Sequence, residues 1–261
     1  GTADGIANIS TPSFKWVADG VTLANIDGQG NPEIIIMAQA GFNNSNVFNS
    51  NYVIPATQII PAGLSVPATV IPAGILTIDG TGRSVVDASG RIFCYFFTDP
   101  DGITGTATGN LPPGYYLKWI SNSLATHDPN GTTNPNDLQW GGFDPQDGVT
   151  ISVADFDHDG TPELYCQNRI FDNMGNLIKQ GLPTQAIGSA RYQWGQIASY
   201  TVAADVTGDN RLELVAGNMV YDVDLSDPNA SLPVIKSVSN PTWSLDGYTS
   251  IADMNKDGQL D

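Results

Sequence analysis

Asp155, Asp157 and Asp159 alternate along "VADFDHDGTPEL", with Gly160 next and Glu163 three residues further on. In a tight turn alternate side chains point to the same side, so carboxylates at relative positions 1, 3 and 5 converge on one point. Glycine suits position 6, where the chain bends sharply. Position 7, here Thr161, offers a backbone carbonyl, and the carboxylate at position 9 returns from the next strand to close a cage. Hard oxygen donors in that number suit Ca2+. Mg2+ holds its waters more tightly and wants stricter octahedral geometry, and Zn2+ would want His or Cys.

The pattern recurs. "AADVTGDNRLEL" places Asp205, Thr207, Asp209, Arg211 and Glu213 at positions 1, 3, 5, 7 and 9, with Asn210 in place of the glycine. "IADMNKDGQLD" places Asp253, Asn255, Asp257, Gln259 and Asp261 there, and "LANIDGQGNPEI" places Asn25, Asp27, Gln29 and Glu33. The copies are unequal in charge. The loop at Asp155 supplies four carboxylates, the one at Asp253 three and an amide. The loop at Asp205 lacks the charge at position 3, so weaker binding is expected there. The loop at Asn25 has two carboxylates and is read either as a weak site or as a metal-free turn. Asp and Gly fill surface turns everywhere, so one such loop would say little; four in register say more.

Each loop lies after a short apolar strand and, where the chain continues, before another: "TISVAD" and "ELYCQN", "YTVAAD" and "ELVAGN", "VTLAN" and "EIIIMAQ". A tryptophan precedes each one: Trp16, Trp140, Trp194 and Trp243. From Asp155 to Asp205 is 50 residues and from Asp205 to Asp253 is 48. A fixed period of that length, built of strands and turns, predicts the blades of a β-propeller. Four strands are expected around the second loop, over 149–155, 162–168, 169–173 and 176–180, with "NMGN" as the last hairpin turn. No segment carries helical periodicity, so the chain is expected to be all-β.

The whole chain is then part of one propeller of four-stranded blades. Blade 1 spans about 14–120, an exposed Asn/Pro/Thr-rich loop 120–139, blade 2 about 140–190 and blade 3 about 191–240. Residues 241–261 start a fourth, so the segment is expected to be a fragment with about three blades. Residues 41–89 are an insertion between the second and third strands of blade 1, because "GRIFCYFFTDPDG" resembles the later "NRIFDNMGN" strand and turn. A degenerate extra blade around "LTIDGTGRSVVDASG" is the other reading. Pro-Ala pairs from residue 55 to 73 exclude helix and central strand and leave extended chain. The apolar residues of the insertion (Ile54, Ile59, Ile60, Leu64, Val70, Ile71) need cover, from the propeller or from a partner.

Asp-x-Asp-x-Asp-Gly-x-x-Glu between two strands, repeated at blade spacing, resembles the FG-GAP/VCBS class of calcium-binding β-propeller repeats, which includes integrin α-subunit heads and bacterial surface proteins. The likeness covers 14–38 and 140–261. It lies in the loop and blade pattern, since the Phe-Gly and Gly-Ala-Pro signatures of integrins are not evident. It implies that the loop residues named above are metal ligands, and that the chain works outside the cell, secreted or on its surface. Calcium near millimolar there saturates even weak sites. A composition rich in Asn, Thr, Gly and Asp suits secreted bacterial adhesins, including those exported by the type IX route.

With 10 basic residues against 27 acidic ones, a net charge of −17 repels nucleic acid and anionic membrane. No apolar run reaches the length of a membrane span. Without an initiator Met or a signal peptide, Gly1 is expected to begin a mature or excised segment. Cys94 and Cys166 sit in apolar runs and read as buried hydrophobes.

Two functions compete. One is a non-enzymatic adhesion or recognition module, rigidified by calcium within a larger surface protein and binding a protein or glycan. The other is the propeller domain of a polysaccharide-degrading enzyme of the pectin-lyase kind, with its catalytic residues largely elsewhere. A lyase needs a base and a cationic cleft for its uronate. The histidines are His127, in a polar loop beside Asp128, and His158, inside the second metal loop with its side chain expected toward solvent. No hydrolase, metalloprotease or phosphate-loop motif is present, so no catalytic residue is assigned. Trp140 and Trp194 are expected to pack between blades rather than to stack sugars.

Overall fold

The computed structural model describes residues 15–16, 21–39, 41–42, 48–49, 51–60, 68–87, 91–98, 111, 114–122, 148–182, 185–191, 197–227, 231–238 and 247–260. Among them the chain is all-β, with a single 3-10 turn at Ala56–Gln58 and no α-helix. Trp140, Trp194, Trp243, His127, Leu64, Asp261 and most of the 120–139 loop lie outside the described residues, as does the side chain of Trp16. The chain divides into two units, Gly1–Pro145 and Gln146–Asp261.

In the first unit, Thr22–Ala24, Glu33–Gln39, Arg91–Thr98 and Gly114–Ile120 form an antiparallel sheet in that order, and Lys15–Trp16 pairs with the far end of Glu33–Gln39. Residues between Gln39 and Arg91 therefore interrupt two neighbouring strands. They build a small sheet of their own from Asn51–Ile54, Ser84–Asp87 and Leu76–Ile78. Its hairpin turn rests on Asp79, whose carboxylate takes the amides of Thr81 and Arg83 and the Arg83 guanidinium. The proline-rich stretch holds one 3-10 turn that sequence reasoning missed. Pro55 stands just ahead of it, where its fixed φ starts a turn and its missing N–H costs nothing.

The larger sheet of this unit covers part of the insertion's apolar content, while Val70 stays 48% exposed. Ile54 is buried with Phe93, Tyr95, Leu117 and Ile120, Ile59 and Ile71 pack against that cluster, and Ile60 is buried as well. Its backbone also pairs with the last strand: Val70 N–H donates to Lys118 O (2.9 Å) and Ile120 N–H to Val70 O (3.0 Å). The Thr69 hydroxyl accepts from Ile60 N–H (2.8 Å) and donates to Leu117 O (2.7 Å). An edge strand otherwise open to pairing is thus closed by the chain itself.

The second unit contains two sheets of the same design. Ser152–Ala154, Glu163–Cys166, Arg169–Phe171 and Leu177–Gln180 form one; Thr201–Ala204, Glu213–Ala216, Met219–Tyr221 and Val234–Ser237 form the other, each an antiparallel meander in chain order. Their registers match residue for residue, Ala154↔Glu163 against Ala204↔Glu213, and each carries an irregularity at the same place, Ile170/Phe171 and Val220/Tyr221. One apolar core joins them, with Phe156, Tyr165 and Ile170 meeting Leu214, Ala216 and Tyr221. The buried phenol of Tyr165 accepts Ala203 N–H (3.2 Å), and Leu232 N–H donates to Gln180 O (2.9 Å).

The strand expected over 149–155 is split. Gly148–Val149 runs parallel to Ile197–Ser199, which also pairs with Ser189–Arg191, and only from Ser152 does the chain join the meander. The switch of partners at Thr150–Ile151 recurs at Tyr200. Gly188 makes the second switch possible. It has φ +70, its carbonyl accepts Tyr200 N–H (2.9 Å), and an added Cβ would stand 2.3 Å from Tyr200 O. Gly188→Ala is expected to destabilise the second unit by about 2 kcal/mol, read as a lower urea midpoint at unchanged m-value.

Cys94 and Cys166 are free and buried. Burial pushes the Cys166 thiol up to about 12 and raises that of Cys94 as well, so both behave as inert apolar side chains.

Candidate metal centre

The loops at Asn25, Asp155 and Asp205 each join the first two strands of a meander. The loop at Asp253 does not follow the strand expected to start a fourth blade, since residues 247–252 form none, yet all four share one backbone device. Positions 4 and 6 are both left-handed: Gly28 and Gly30, His158 and Gly160, Gly208 and Asn210, Lys256 and Gly258. Sequence reasoning found position 6 alone. Position 4 escaped it because glycine stands there in only two loops, at Gly28 and Gly208, and Lys256 is a residue type that rarely takes φ > 0. Asn210 replaces glycine without loss of the conformation, since asparagine tolerates it.

The second loop folds its carboxylates around its own amides. Asp155 takes Asp159 N–H (3.1 Å) on Oδ1 and Gly160 N–H (2.9 Å) on Oδ2; Asp157 takes Asp159 N–H (3.2 Å), and Asp159 takes Thr161 N–H (2.7 Å). Carboxylate oxygens of Asp155, Asp157 and Asp159 come within 4.8 Å of one another, the one such convergence among the described residues. The fourth loop repeats the bonds. Asp253 takes Asp257 N–H (3.1 Å) and Gly258 N–H (2.9 Å), Asn255 takes Asp257 N–H (2.8 Å) and Asp257 takes Gln259 N–H (2.8 Å).

Position 9 has a second task that sequence reasoning did not assign. Glu33, Glu163 and Glu213 are buried, and each accepts the N–H of position 2 on Oε2: Ile26 (3.0 Å), Phe156 (2.9 Å) and Val206 (2.9 Å). The residue therefore fastens the loop to the strand that follows it, with or without a cation.

What neutralises the carboxylates differs from loop to loop. In the first, the Lys118 ammonium lies 2.5 Å from Asp27 Oδ2 and 3.0 Å from Glu33 Oε1. Burial draws its pKa down, but those two bonds outweigh it and hold it above the ordinary lysine value. In the third, Nε and Nη2 of Arg211 both lie 3.0 Å from Asp209 Oδ2, Nη1 is 3.4 Å from Asp222, and the Thr207 hydroxyl donates to Glu213 Oε1 (3.2 Å). Arg211, through its amide and its guanidinium, holds Asp209 below the usual carboxylate range. Thr207 and Arg211 here serve the loop internally.

In the second loop, no Lys or Arg among the described residues pairs with the four carboxylates. Burial pushes the Glu163 carboxyl up to about 7, opposed by the Phe156 amide and reinforced by the charges of Asp157, Asp155 and Asp159. The donor set fits calcium: four carboxylates and the Thr161 carbonyl are hard oxygens on a loop already bent around a common centre. A divalent ion bound there would screen that repulsion and keep Glu163 ionised. His158, expected toward solvent, is exposed, yet its Nε2 is 3.0 Å from Asn210 O, so the second and third loops touch.

No protein-family model, curated protein or solved structure matches this chain.

Proposed function

We propose that this chain is a calcium-stabilised segment of a β-propeller, acting as an adhesion or recognition module of a larger secreted or cell-surface protein, of the FG-GAP/VCBS kind. The observation that carries the reading is the second loop, where three aspartate carboxylates converge at the head of a meander, with Glu163 at position 9 behind them, without a basic partner among the described residues. Further support comes from the recurrence of one loop and one meander in both units. Rigid blades headed by such loops present connecting segments to a protein or glycan ligand, and the net charge of −17 turns nucleic acid away.

Thermal unfolding in millimolar calcium and in excess EGTA tests it. An ion that binds only the folded state stabilises by about 2.7 kcal/mol at a hundred times its Kd. Calcium is expected to raise the midpoint by several degrees, and Asp155→Asn to remove most of that rise. Identical midpoints in the two buffers would overturn the metal reading. Retention of the chain on immobilised matrix proteins or polysaccharides, lost in EGTA, tests the adhesive part.

A further inference from the structure

We propose that Lys118 is a tethered cation that takes the place of calcium in the first loop, so that this loop works without metal while its homologue at Asp155 depends on it. The inference rests on the reading that loops of this kind take calcium.

Three observations carry it. First, the ammonium bridges Asp27 and Glu33, positions 3 and 9, at 2.5 and 3.0 Å. Those are the carboxylates that a metal would draw together across the loop. Calcium–oxygen distances are about 2.3–2.6 Å, so nitrogen and metal compete for one position. Second, Glu33 keeps the architecture of Glu163 in full. It is buried, its Oε2 accepts the position 2 amide, and only Oε1 turns to the lysine. Third, Lys118 is placed by an irregularity in its strand. Leu117 pairs with Tyr95 and Trp119 with Cys94, so Lys118 is the extra residue of a β-bulge. Bulges re-aim a side chain at the cost of ladder regularity. Val70, on the insertion, pairs with the carbonyl of Lys118 and with Ile120 N–H, so the bulge residue's own backbone is held from the insertion.

Charge explains why lysine suffices in one loop and not in the other. With Asn25 and Gln29 at positions 1 and 5, the first loop carries two carboxylates, which one partly buried ammonium satisfies with two charge-assisted bonds. The second carries four. Removing Lys118 leaves Glu33 buried and unpaired, a costly state that an added divalent ion would relieve.

The test counts calcium bound per full chain by equilibrium dialysis, with unfolding midpoints in EGTA and in millimolar calcium. Asp27→Asn, which leaves Glu33 still paired with the lysine, is expected to leave the wild-type count unchanged, and Lys118→Arg to do the same. Lys118→Met is expected to bind one ion more than wild type and to melt several degrees lower in EGTA, with most of the loss recovered in calcium. A count lowered by one in Asp27→Asn, or a Lys118→Met deficit equal in both buffers with no added ion, would overturn the proposal. Should Lys118→Met fail to fold in either buffer, the Asp27→Asn count decides alone. Asp155→Asn separates this from the parent reading. If wild type binds no calcium and Asp155→Asn changes nothing, that reading fails, and an ion gained by Lys118→Met still reads what the lysine replaces.

Discussion

Glu163→Gln is expected to be more stable than wild type in EGTA at pH 8 and less stable than wild type in saturating calcium. The inversion follows from one side chain in two electrostatic settings. Without metal, burial raises the Glu163 carboxyl from 4.5 to about 7. Ionising it in the folded chain at pH 8 then costs on the order of 1–2 kcal/mol relative to the unfolded chain, solvent screening reducing the full effect of the shift. Glutamine keeps an oxygen for the Phe156 amide and carries no charge, so it removes that cost. With metal, the same substitution removes the position 9 ligand, and calcium affinity is expected to fall at least tenfold.

The pH dependence has a definite sign. A carboxyl whose folded pKa lies above its unfolded value binds more protons in the folded state between the two. Metal-free wild type should therefore lose stability as pH rises from about 4.5 to 7 and level off above. Calcium, which needs the carboxylate, should bind more weakly as pH falls below about 7 and release a proton on binding in that range. Glu163→Gln should flatten both trends. Urea midpoints from pH 4.5 to 8.5 for the two proteins, with and without calcium, decide the matter. The same rank order in both buffers would show that the loop is hairpin chemistry without a metal.

Much of this was legible in the sequence because it repeats. The loops announce themselves by alternating acids, the meanders by apolar runs on either side, and the strands expected at 162–168, 169–173 and 176–180 enclose those found at Glu163–Cys166, Arg169–Phe171 and Leu177–Gln180. Local spacing could not show what arrives from elsewhere in the chain. Lys118 reaches Asp27 across 91 residues and Glu33 across 85, from a bulge that no sequence pattern marks. The left-handed turn at Lys256 runs against residue preference, so propensity pointed away from it. The splitting of the first strand is likewise invisible, because Val149 and Val153 look alike in sequence and differ only in partner.

Phe93→Ala is expected to cost about 3–5 kcal/mol and to loosen the insertion together with the sheet beneath it. Phe93 is fully buried in the strand Arg91–Thr98 and meets Tyr52 of the insertion edge-on, ring centroids 5.6 Å apart at 88°. Val86, Ile54 and Leu117 share that core, so the cavity left by the ring touches both layers. Hydrogen exchange of the variant should show amides at 51–60 and 68–87 losing protection in step with those at 91–98 and 114–122. An arm kept free for a partner would behave otherwise: its amides would exchange early in wild type and ignore the substitution. Joint loss would make the insertion part of the core that positions Lys118, since Val70 N–H bonds the carbonyl of that residue itself. The packing of the proline-rich segment and the internal ion of the first loop then depend on the same strand, and weakening either should be felt by the other.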